Sequence, residues 1–126
     1  MTTTSWSVAA ELQAICPHTF LALQHLVQAM VEAKRNRGKR GFFGGNKEQA
    51  AMDEFELQLK TTIVALSLDN MISLKDRPQF IRVKLIQAIA GFSKAFPNWQ
   101  DAYSFAHEYF VESEEVADRR IQVIMQ

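Results

Sequence analysis

The sequence predicts an all-α fold, a single domain of five to six helices spanning residues 1–126. Three observations lead there. Apolar residues recur three and four positions apart along most of the chain. No run alternates apolar and polar residues long enough to make a half-buried strand. Prolines and capping residues fall between the apolar stretches, where helices should start and stop. Short connections between such elements imply an antiparallel bundle or an orthogonal helical array.

Residues 1–6 read as a disordered tail. Ser7 is a good N-cap, and Val8, Leu12, Ile15 and Cys16 then sit at helical spacing until Pro17 stops or kinks the helix. Thr19 is the expected cap of a second helix, with Phe20, Leu23, Leu26, Val27, Met30 and Val31 on its apolar face and Gly38 at its end. Residues 38–46 hold four of the five glycines and read as a flexible loop. Asn46 with Gln49 makes a capping-box pattern for the third and longest helix. There Met52, Phe55, Leu59, Ile63, Leu66 and Met71 trace one face, widened by Leu57, Val64, Leu68 and Ile72. From Thr62 to Leu74 the segment is apolar over most of its circumference, which places this helix at the centre.

Asp76-Arg77-Pro78 breaks the chain and opens a fourth helix to about Phe96, expected to bury Phe80, Val83, Ile86, Ile89, Ala90 and Phe92. Pro97-Asn98 turns into an aromatic fifth helix with Trp99, Tyr103, Phe105, Tyr109 and Phe110. Glu112 to Glu115 is a polar break, and Ser113 caps a last helix whose acidic first turn suits the helix dipole.

The bulk numbers describe an ordinary globular chain. With 126 residues there is material for one core. Lys plus Arg balances Asp plus Glu at 14 each, so any electrostatic attraction must be local. One cysteine excludes an internal disulfide and fits a reducing, cytoplasmic setting. The N-terminus lacks the pattern of a signal peptide, and no stretch has the run of apolar residues that a membrane span requires.

The main anomaly lies between the second and third helices. Lys34, Arg35, Arg37, Lys39, Arg40 and Lys47 put six cations in fourteen residues with no acidic residue between them. A helix C-terminus accounts in part for the first four of these charges, but not for Arg40 or the adjacent Phe42 and Phe43, which glycines frame. Such a patch suits a protein partner that takes a phenylalanine anchor inside a basic rim. It also suits nucleic acid, with cations on phosphates and rings on unpaired bases, or an anionic membrane surface. A solvated loop is the bland alternative.

Other chemistry is thin. His18, His25 and His107 with Cys16 do not reach the ligand count or spacing of a zinc site, and His107-Glu108 lacks the second histidine of a zinc-protease helix. Cys16 reads as a small buried hydrophobe rather than a nucleophile. Asp69 interrupts the third helix and is expected to face solvent, since buried carboxylates need a partner such as Lys60, Arg82 or Lys84. The sequence therefore points to a non-enzymatic helical protein, without cofactor or metal, that binds another macromolecule. A protein partner held through residues 34–47 is preferred, and nucleic acid at the same place is the alternative. A small molecule between helices, lined by methionines and aromatics, is a second alternative. Glu112, Glu114, Glu115 and Asp118 facing the basic connection of another copy would give a homodimer.

Overall fold

Pro17 decides where the second helix begins, and the other helices are arranged around that one. The computed structural model describes residues 5–39 and 46–126, with side chains from Ala10 onward. Its helices are α1 (Ser5–Ile15), α2 (Pro17–Arg35), α3 (Lys47–Leu68), α4 (Pro78–Phe92), α5 (Trp99–His107) and α6 (Glu114–Met125). A 3₁₀ turn (Ser93–Ala95) follows α4, and a π-helical turn (Glu108–Glu112) joins α5 to α6. Among the described residues there is no strand, so the all-α fold of five to six helices is the observed one. No helix among them is long and apolar enough to cross a membrane. Of the glycine-rich connection 38–46, residues 40–45 lie outside the described residues.

Proline stands at the first helical position of α2, where its missing N–H removes no helical bond. The expected Thr19 cap is corrected by this: Thr19 lies inside the first turn and is buried. Helix α2 packs along α3 on one side and α5 on the other, and also meets α1 and α4. It buries Leu23, Leu26, Val27, Met30 and Val31, while Ala22, Ala29 and Ala33 let its neighbours approach closely. The centre of the fold is thus α2. Helix α3, which the sequence places there, is an outer helix with one buried face of Phe55, Leu59, Ile63 and Leu66.

Both ends of α3 follow from short polar residues. Asn46 accepts the Gln49 backbone N–H at 3.1 Å, as the capping pattern requires. The reciprocal half is absent, because the Gln49 amide donates forward to Asp53 at 2.8 Å. At the other end Asn70 takes the left-handed conformation with φ 60°. The Met71 N–H then reaches the Leu66 carbonyl at 2.9 Å, and the Asn70 N–H reaches Ser67 at 3.0 Å. This is the paired closure that ends helices, with asparagine in the place usual for glycine. It stops the helix at Leu68 although apolar residues continue to Leu74.

Helix α4 turns a different face inward from the expected one. Ile81, Leu85, Ala88 and Ile89 are buried, while Phe80 and Val83 are exposed. Of the expected set Ile89 is buried and Ile86 and Phe92 pack partly buried against the core, so the inward face is rotated rather than opposite, because the apolar arc of this helix is wide. Helix α5 and the π turn carry the aromatic centre. The wider turn brings Phe105, Tyr109 and Phe110 onto the same ring of Phe55, at centroid distances of 4.9, 4.9 and 6.4 Å. Arg82 of α4 fastens the following segment. Its guanidinium donates to Asp118 at 2.7 Å and to the Phe110 carbonyl at 3.2 Å.

Phe55 is fully buried and faces three aromatic rings, so Phe55→Ala should cost about 3–5 kcal/mol in urea unfolding. A loss below about 1 kcal/mol would mean that the ring is not packed as described.

Candidate functional site

The cations at the end of α2 mostly serve its own packing. Lys34 Nζ lies 3.6 Å from Asp101 of α5, and Arg37 Nη2 lies 2.6 Å from Glu108. The Arg37 guanidinium also sits 5.9 Å from the centre of the Phe105 ring. Its hydrogen bond holds the Glu108 carboxyl below the usual carboxylate range. Arg35 pairs with Glu32 on the same helix at 3.5 Å. Lys39 and Lys47 are exposed and make no ion pair among the described residues. Arg40, Phe42 and Phe43 lie outside the described residues. Three of the six cations thus pair with Asp101 of α5, Glu108 of the π turn or Glu32 of α2 itself. A hollow of about 320 Å³ beside them is walled by Arg37, Glu48, Gln49, Met52, Glu108 and Tyr109. Burial pushes the Tyr109 hydroxyl up to about 12, so it stays neutral there.

The opposite end of α2 holds a deeply placed carboxylate. Asp69 follows the last residue of α3, and its side chain is only 5% exposed. This corrects the expectation that it faces solvent. Its partner is not a lysine or arginine but the start of α2: Oδ2 accepts the Thr19 backbone N–H at 2.7 Å, and Oδ1 meets His18 Nδ1 at 2.8 Å. A carboxylate there satisfies an orphan amide and complements the positive end of the helix. Burial pushes the Asp69 carboxyl up, but the hydrogen bonds from Thr19 and His18 outweigh it and leave the group below its ordinary value. The nearby Cys16 thiol is pushed up, first by burial and then by the Asp69 charge, which disfavours the nucleophilic thiolate. Among the described residues no three His, Cys, Asp or Glu side chains come together as a metal site.

Between α2 and α3 the surface opens into an apolar groove of about 510 Å³. Its walls carry Leu21 of α2 and Leu57, Val64 and Leu68 of α3, which are 59, 56, 42 and 58% exposed. Ala22 and Ala65 line it as well. At ~100° per residue, Leu57, Val64 and Leu68 fall roughly opposite the buried face of α3. Helix α3 therefore has two apolar faces, one in the core and one outward. Among the described residues the polar groups of the groove are His18, His25, Lys60 and Thr61, and no carboxylate lines it. The Thr61 hydroxyl donates to the Leu57 carbonyl at 3.1 Å, and the N–H donors of the rim are those of Lys60 and the His25 ring. Lys60 and Val64 also border a smaller hollow of about 100 Å³ with Leu74, Ile124 and Met125.

None of the groove's apolar residues belongs to the basic connection. A periodic signal was present: positions 57, 64 and 68 repeat at helical spacing, offset from 55, 59, 63 and 66. It reads as a widened core face until the neighbours of α3 are known. The aromatic residues near the C-terminus divide similarly. Phe105 and Phe110 are buried, Tyr109 is partly buried, and Trp99 carries Lys94 over its ring at 5.4 Å. Asp118 is engaged by Arg82 and Glu114 lies 3.6 Å from it, while Glu112 pairs with His107 at 3.2 Å.

Two measurements check this arrangement. Because the folded pKa of Asp69 is lowered, its stabilisation is complete above the unfolded carboxylate value and is lost as pH falls through the folded one. Asp69→Asn should therefore cost about 1–3 kcal/mol near pH 7. The gap from wild type should shrink as pH falls below the ordinary carboxylate value and through the lowered folded one, where Asp69 becomes neutral; a gap that stays constant with pH would remove the charge from the explanation. Leu57→Ser and Leu68→Ser, on the exposed face, should each change urea stability by less than about 1 kcal/mol. A loss as large as that of a core truncation would mean that the groove is closed in solution.

No protein-family model matches the chain, and neither a curated protein nor a solved structure gives a significant match.

Proposed function

We propose that this chain is a non-catalytic binding module that docks a helix of a partner protein in the groove between α2 and α3. The observation that supports it is the outward apolar stripe of Leu57, Val64 and Leu68 on α3, faced by Leu21 on α2. From Leu57 to Leu68 is ~16 Å along the helix, or about three turns. An amphipathic helix of that length lays an apolar stripe into such a groove, a common mode of peptide recognition. Contiguous apolar surface on a small protein marks an interaction site more often than it occurs idle. Charge complementarity favours a foreign helix over a second copy, because two copies meeting here would bring two Lys60 ammonium groups into one interface with no carboxylate from either groove lining to pair them.

The nucleic-acid reading needs free cations on residues 34–47, and the ion pairs of Lys34, Arg35 and Arg37 weigh against it. A reducing compartment such as the cytoplasm suits a chain with one cysteine. The test is site-specific photo-crosslinking in cells of the source organism, with the photoreactive residue at Thr61 in the groove or at Lys39 in the basic connection. Protein adducts from position 61, lost when Leu57 and Leu68 are both changed to serine, are the expected result. Adducts from position 39 alone would move the site to the basic connection, and nuclease-sensitive adducts there would restore the nucleic-acid alternative.

A further inference from the structure

The rim of the groove narrows the class of partner, on the premise that the groove is the docking site. His25 stands on the α2 wall and Lys60 on the α3 wall, and His18 stands at the Asp69 end. His18 is already engaged with Asp69, so Lys60 and the His25 ring put N–H donors on the two sides of an apolar floor, with no carboxylate among the described residues that line it. The nearest buried carboxylate, Asp69, is already committed to Thr19 and His18. Lys60 makes no ion pair among the described residues and presents three N–H donors that an incoming partner can satisfy. An occupant with lysine or arginine beside its apolar stripe would place like charges against Lys60, which disfavours it. An occupant with neutral flanks would leave the donors to water.

We infer that the groove selects an acidic amphipathic helix, whose apolar stripe of about three turns is bordered on both edges by aspartate or glutamate. Residues on the stripe at spacings of three and four meet Leu21, Leu57, Val64 and Leu68. Carboxylates on one edge reach Lys60, and those on the other reach the His25 ring. The apolar contact supplies most of the affinity, and the two charged edges decide which helices are accepted and hold the docked helix in its groove.

Three synthetic helices of about 16 residues test this, each stapled because free helices of that length are marginal in water. They share one leucine stripe and carry Glu, Gln or Lys at every flanking position. Binding to the full chain is read by fluorescence anisotropy at low salt. The Glu-flanked peptide should bind about tenfold tighter than the Gln-flanked one, and the Lys-flanked one should be weakest. Raising the salt should compress the difference. The double change Lys60→Glu with His25→Glu should reverse the order, while Leu57→Ser with Leu68→Ser should abolish binding of all three. Equal binding by the three peptides would overturn the acidic selection and leave groove docking intact. Binding by none would overturn both. A chain that sediments as a dimer, and is returned to monomer by Leu57→Ser with Leu68→Ser, would assign the groove to a second copy and also overturn the inference.

Discussion

The fold depends on how the antiparallel pair α2 and α3 is locked at its two ends. At one end the Asp69 carboxylate, set just past α3, closes on the first turn of α2 through Thr19 and His18. At the other end Glu48, in the first turn of α3, accepts the Gly38 N–H from its side chain while its own N–H donates to the Lys39 carbonyl. Each lock joins the exit of one helix to the entry of the other, where backbone groups would otherwise go without partners. With both ends held, the register of the pair is set and α2 can present its remaining sides to α1, α4 and α5.

The second half of the chain closes onto that pair through one aromatic residue. Phe55 of α3 is covered by Phe105, Tyr109 and Phe110. A regular helix could bring the first two to the same side but would rotate the third away by ~100°. The π turn keeps all three in contact with Phe55, and Arg82 takes up the Phe110 carbonyl at that turn. A local departure from helical geometry therefore holds α4, α6 and the core together.

The same arrangement leaves α3 with a neighbour on one side and an apolar stripe on the other. Had α3 been covered on both faces, Leu57, Val64 and Leu68 would be core residues. Because α2 takes the centre, they line an open groove instead. The basic segment at the end of α2 is drawn the opposite way, into ion pairs with Asp101 and Glu108 of α5 and the π turn. Together these placements move the more inviting surface from the charged connection to the apolar one, which is the ground of the proposed docking mode.

By itself the sequence determined the all-α class, the proline-led start of α4 and the Asn46 cap of α3, because these depend on periodicity and on contacts within one turn. It also carried the residues of both apolar faces of α3, which read as one widened face. Only the tertiary structure decided which face meets the core, which residues of α4 turn inward, and that Asp69 caps a helix fifty residues before it. Helical spacing reports that a residue lies on a given side of its own helix, but burial depends on which other helix arrives there. A carboxylate in an apolar run looks exposed until its remote partner is known. Likewise, Lys34 and Arg37 read as free charge until α5 brings Asp101 and Glu108 against them. Contacts between residues far apart in the chain leave no local signature, and for this protein those contacts separate packing from open surface.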